Sequence, residues 1–192
     1  MERLPVRDRG IIAYDIVLWL KEKYGGEMAG KIIERLSPEA AKMLSDPKPG
    51  DWYPVELMRE VYDVLDEMFS EKEPRALESL GRFMADHGLR GFMRLVVSII
   101  SVKTIVWRIS TLWNYYHEGG RAEVPVIKDE GAHKKGVMTI SGYNAGQGWC
   151  KVMDGYISFI VEATGAKDIR VEKQTCLSKG DRVCSWLVSW QE

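Results

Sequence analysis

Three cysteines, Cys150, Cys176 and Cys184, fall in the last quarter of the chain with 25 and 7 residues between them. Thiolates are soft donors that satisfy a tetrahedral zinc ion. With the short interval centred on Gly180, Cys176 and Cys184 stand opposite each other across a hairpin, their Cβ atoms about 4.5–5.5 Å apart. Cys150 sits one position round from the buried stripe of the preceding helix, so a helix lying over the hairpin would bring the third thiol to the other two. A fourth ligand is then required. The nearest carboxylates are Glu172, on the face of Cys176 by period two, and Asp181 in the turn. Two plainer readings stand beside this one: three small core residues, or a Cys176–Cys184 disulfide, which a reducing compartment disfavours.

Outside the cysteines the sequence offers little for catalysis. His87 precedes Gly88 at a helix end and His117 ends an aromatic helix, where an imidazole suits the dipole or bonds a carbonyl. His133 falls in the charged stretch Lys128 to Lys135, read as a solvated hairpin loop. No phosphate loop with its lysine, nucleophile elbow or paired metalloprotease histidines occurs. The glycine-rich Gly142 to Gly148 lacks that lysine and reads as the entry to a helix. The expectation is a protein without catalytic residues of its own.

These residues must be positioned by a single core, since the chain has 192 residues and is 45% hydrophobic. Charges nearly cancel, to a net of -1, which gives no reason to expect nucleic acid. The longest apolar stretch, Leu95 to Val106, is broken by Ser98, Ser101 and Lys103, short of a bilayer-spanning run. The segment Met1 to Arg9 has no signal-peptide core, so the expected location is the cytoplasm.

Periodicity predicts helices first. Ile12, Ile16, Trp19 and Leu20 share one helical face that ends at Gly25-Gly26, and a second helix runs from about Met28 to Leu36. Ser37-Pro38 starts a third. After a loop from Asp46 to Pro54, Leu57, Val61, Val64, Leu65 and Met68 form an amphipathic stripe. Further helices are predicted over Pro74–His87, Leu89–Ile100 and Val102–His117. Beyond Gly119-Gly120 the pattern changes to short strands, Ala122–Val126 and Gly136–Ile140. A helix returns over Ala145–Ala163, and two last strands cover Ile169–Leu177 and Arg182–Trp190. In the final strand Cys184, Trp186, Val188 and Trp190 share one face. The predicted class is α+β: N-terminal helices packed on a C-terminal four-stranded antiparallel sheet with one further helix, in the order ββαββ.

The cysteine spacing, with Gly155-Tyr156 after the first and Lys179-Gly180-Asp181 between the last two, resembles the 4-vinyl reductase domain over Gly142 to Trp190. Upstream, Asp51-Trp52-Tyr53-Pro54 and Trp113-Asn114-Tyr115-Tyr116 extend the resemblance. That domain also occurs in sensor regions of bacterial activators of aromatic catabolism, and its wider superfamily includes haem–nitric-oxide sensors and Golgi-tethering subunits. The resemblance implies one ligand-binding domain over residues 1–192, helical in 1–118 and sheet-forming in 119–192. It implies zinc on Cys150, Cys176 and Cys184, with a glutamate three positions before the second cysteine. Here that position is Lys173, and the candidate fourth ligand is Glu172, although a shift of one residue turns a strand side chain to the other face.

The resemblance further implies a closed apolar pocket between helices and sheet, for a small aromatic, a lipid-like chain or a tetrapyrrole fragment. Phe92, Val96, Trp107, Leu112, Trp113, Tyr116 and Trp149 would line it, with Tyr116, His117 and Arg108 orienting the ligand. The same side chains would equally serve as ordinary core. The expected function is a small-molecule sensor or binding domain with a structural zinc, acting as a homodimer. One rival is a tethering-type interaction module that exposes Ile12, Ile16 and Trp19. Another is a tetrapyrrole vinyl reductase, which would bind nicotinamide or flavin. A haem protein would need an imidazole inside the pocket, and the Tyr-x-Ser-x-Arg element of the nitric-oxide sensors is not found.

Overall fold

The computed structural model describes residues 5–125 and 127–192, and of residues 92–94 and 130 the backbone alone. Strand β1 (Arg7–Arg9) leads into α1 (Gly10–Tyr24), whose Ile12, Ile16, Trp19 and Leu20 are all buried, as their helical spacing requires. Helices α2 (Gly26–Ile33) and α3 (Pro38–Ser45) follow, the second capped by the Ser37 hydroxyl, which accepts from the Ala40 amide at 3.4 Å. Strand β2 (Trp52–Pro54) precedes α4 (Val55–Phe69), which buries Met58, Val61, Leu65 and Phe69. Next come α5 (Ala76–Gly88) and three short helices, α6 (Phe92–Ser98), α7 (Val102–Trp107) and α8 (Ile109–Tyr116).

Beyond α8 the chain forms β3 (His117–Glu118), β4 (Arg121–Glu123), β5 (Ile127–Glu130) and β6 (His133–Ser141). Helix α9 (Gly146–Ala163) then separates these from β7 (Lys167–Thr175) and β8 (Cys184–Gln191). A single 3-10 turn, Leu177–Lys179, and Gly180 at φ 94° connect the last two strands. The main sheet is antiparallel in the order β4-β6-β8-β7, with β5 also paired to β6. A second, small sheet joins β1 to β2 and β3.

Helix α9 lies between α4 and α5 on one side and the inner face of the sheet on the other. The α5–α9 contact is made by backbone. A Cβ added at Gly81 would stand 1.8 Å from the Val152 carbonyl oxygen, and one at Gly155 would stand 1.9 Å from that of Glu78. Only glycine lets the two helices meet so closely. On the sheet, Cys184, Trp186, Val188 and Trp190 of β8 all face this helix and are buried.

Several sequence expectations are corrected. The main sheet has five strands rather than four, because the stretch from Lys128 to Lys135, expected as a solvated loop, pairs as β5 with the start of β6. The small three-stranded sheet has no counterpart in the prediction: its strands are two or three residues long, too short for a period to appear. The helix expected over Val102–His117 is broken at Arg108. Val126, the last residue of one predicted strand, lies outside the described residues. Ile12, Ile16 and Trp19 pack into the core, so the exposed face expected of a tethering module is internal. No helix among the described residues is long and apolar enough to cross a membrane.

Candidate functional site

The three cysteines converge. Cys150, in the first turns of α9, has its Sγ 3.7 Å from those of both Cys176 and Cys184. All three sulfurs lie within 4.8 Å of one another, buried and with no disulfide among them. The Leu177 amide donates to the Cys184 sulfur at 3.3 Å. Cys150 donates toward Cys184, and this hydrogen bond, aided by the Leu177 amide and the Lys173 charge, pulls the Cys184 thiol down to about 6. The same bond, with burial, pushes the Cys150 thiol up.

Lys173 completes the cluster and Glu172 does not. Between β7 and β8 the register shifts after Lys173, which pairs with Trp186, whereas Thr175 pairs with Ser185. This bulge at Gln174 places Lys173 and Cys176, three residues apart, on the same inner face and turns Glu172 out to solvent. The Lys173 Nζ lies 3.3 Å from the centre of the Trp186 ring. It is buried without a hydrogen-bond partner among the described residues. The other expected carboxylate, Asp181, accepts from the Cys176 amide at 2.7 Å and so holds the turn. A cation therefore stands where a fourth anionic ligand was expected, which disfavours a four-ligand zinc site.

The side chains expected to line a closed pocket do not form one wall. Trp113, Tyr143, Trp149 and Trp186 run through the interior in edge-to-face and tilted contacts, with centroids 5.0, 4.8 and 5.9 Å apart in turn, and fill the space between α8 and the sheet. Tyr116 is half-buried and Val96 partly so, whereas Trp107 and Leu112 are 75% and 47% exposed. The side chain of Phe92 lies outside the described residues. Arg108 is also exposed.

Two buried aspartate–histidine pairs, missed in the sequence, tie the helices to the small sheet and to each other. The His117 Nδ1 is 2.7 Å from Asp8, which also accepts from the Tyr143 hydroxyl at 2.9 Å. Asp8 is fully buried. The His87 Nδ1 is 2.7 Å from Asp15, whose carboxyl burial pushes up to about 6 against the opposing pull of His87 and Arg90. No local pattern marks either aspartate, since each finds its partner more than 70 residues away in sequence.

No protein-family model matches the sequence, and no curated protein does. Among the solved structures that it resembles are H-NOX proteins. The unliganded Fe(II) H-NOX protein from K. algicida superposes with a TM-score of 0.68 at 14% identity, over 96% of this chain and 97% of that one. The Fe(II)NO form of an H-NOX protein from S. oneidensis gives 0.70 at 13%, over 96% and 99%. The chain thus has the H-NOX fold. This overturns the resemblance to the 4-vinyl reductase domain, which rested on the cysteine spacing and a few short motifs. It also overturns the zinc cofactor, because the neighbours are described as iron proteins.

The haem implied by that fold does not fit the residues present. A histidine-ligated haem would need an imidazole nitrogen aimed into an apolar cleft. His117 is held by Asp8 and stacked on Trp113 at 4.0 Å, and His87 is held by Asp15 with its ring beside Phe83 at 6.1 Å. His133 is exposed at the start of β6. The interior is occupied by the aromatic row.

Proposed function

We propose that this chain is a binding and sensing domain for a small apolar molecule with an acidic head group, received on the segment from Gly88 to Tyr116. One observation carries the reading. Of seven large hydrophobic side chains exposed among the described residues, five fall on α6–α8 and its joints: Leu95, Ile99, Trp107, Leu112 and Tyr115. Ile99 is 83% exposed. Clustered apolar exposure of this kind marks a binding surface rather than a chance of folding. Covering each such side chain contributes about 1.5–3 kcal/mol.

Charge narrows the ligand. In a chain of net charge -1, the segment from Gly88 to Tyr116 has no acidic residue and exposes Arg90, Lys103 and Arg108. An anionic head group is matched by such a surface, as a neutral or cationic one is not. Beside it, between α8 and β4, Ser110, Trp113, Asn114 and the paired Arg121 and Glu123 line an open cleft of about 510 Å³. Occupancy has a route inward. Helix α8 runs into β3 and the Asp8–His117 pair, and Trp113 begins the aromatic row that ends at Trp186.

Calorimetric titration with a long-chain fatty acid below its micellar concentration tests this. The expected result is saturable one-to-one binding, weakened about tenfold by the methyl ester or by Trp107→Ser. Metal-free protoporphyrin, another apolar acid, is expected to compete, and haem to show no histidine-ligated spectrum. Binding to anionic vesicles but to no free acid would replace the small molecule with a lipid surface. Absence of saturable binding by any of these acids overturns the proposal.

A further inference from the structure

We propose that Cys150, Cys176, Cys184 and Lys173 form a peroxide-reactive thiol site, in which Cys184 is the attacking sulfur and Cys150 the resolving one. Three observations independent of the ligand surface converge on it. The sulfur of Cys150 is equidistant, at 3.7 Å, from the two hairpin sulfurs. A disulfide at about 2.05 Å is therefore reached by side-chain rotation with little movement of the backbone. The Lys173 amine, its nitrogen buried beside the cluster, favours a charged sulfur there. The amide of Leu177 points at Cys184, fixing which sulfur holds the charge.

The chemistry balances with hydrogen peroxide as the oxidant. The Cys184 thiolate attacks one peroxide oxygen, the O–O bond breaks, and hydroxide leaves, giving a sulfenic acid. The Cys150 sulfur then attacks that sulfur. An S–S bond forms, the S–O bond breaks, and the Cys150 proton leaves with the oxygen as water. Two thiols lose two electrons and one peroxide becomes two waters. Cys176, within 4.8 Å of both, takes no part in this bond. Since Cys150 belongs to α9 and Cys184 to β8, oxidation fastens helix to sheet covalently.

The test uses the full chain, reduced and freed of metal by chelation, then treated with a few equivalents of hydrogen peroxide, denatured, alkylated and weighed intact. Expected is the loss of two hydrogens and of two alkylatable thiols, reversed by dithiothreitol, with peptide mapping to Cys150–Cys184. Lys173→Met is expected to slow the reaction about tenfold. Cys150→Ser stops at oxygen adducts on Cys184. Should that variant not fold, Cys176→Ala retains the reacting pair and is expected to oxidise as the parent does. Three alkylatable thiols after treatment, oxygen adducts on the parent, or a Cys176–Cys184 bond leaving Cys150 free would each overturn the site. So would a metal held by the thiols in the protein as purified.

Discussion

Helix α9 and the run α6–α8 are both rich in apolar residues, and they use them in opposite ways. In α9 the apolar positions recur on one face over 18 unbroken residues, and glycines open places for the backbone of α5. In α6–α8 the apolar residues are spread around three helices of 7, 6 and 8 residues, so no single face can bury them all. The first arrangement makes a fixed frame for the thiols; the second leaves surface free for something else. Hydrophobic content alone does not decide burial. The phase of the pattern and the closeness that small residues allow decide it.

The contrast is most severely tested at the α5–α9 contact. Gly155→Ala is expected to cost about 3 kcal/mol, since the new methyl meets the Glu78 carbonyl and neither helix can yield alone; urea denaturation measures it. An unchanged midpoint would show that the frame is looser than its glycines suggest. Next in size is Asp8→Ala, which strands the Tyr143 hydroxyl and His117 in the interior and should cost about 2 kcal/mol on the same scale.

A smaller effect concerns Asp15, whose folded carboxyl titrates at about 6 against an ordinary 3.8. The folded state holds this proton more tightly, so its contribution is complete below pH 3.8 and is lost as pH rises through 6. Asp15→Asn should remove that decline, gaining steadily on the parent as the pH rises from 4 to 7, with His87, Arg90 and the nearby Tyr116 and Tyr156 unchanged. Least of all, Ile99→Ser on the exposed run should change stability by under about 0.5 kcal/mol. A large loss there would mean that the exposed run supports the fold after all.

The frame was legible in the sequence because its signals are local and periodic. The stripe of α9, the alternation of β8 and the cap at Ser37 each follow from residues within one element. The approach of three sulfurs followed from the same periods. What escaped depends on distance or on a single inserted residue. The bulge at Gln174 reversed the faces of Glu172 and Lys173, and no pattern in β7 announces it. The pairing of β1 with β3 joins Asp8 to His117 across the whole helical half of the chain. Nor does composition distinguish aromatic rings that line a chamber from rings that fill it, as Trp113, Tyr143, Trp149 and Trp186 do.

The position of β8 governs how the molecule is assembled during synthesis. It is the last strand of the main sheet in the chain and yet lies between β6 and β7, which the ribosome makes first. Until residues 184–191 emerge, those two strands have no common partner and their edges stay open. The helical half can collapse early on local contacts, but the sheet, and with it the meeting of Cys184 with the other thiols, must wait for residues 184–191.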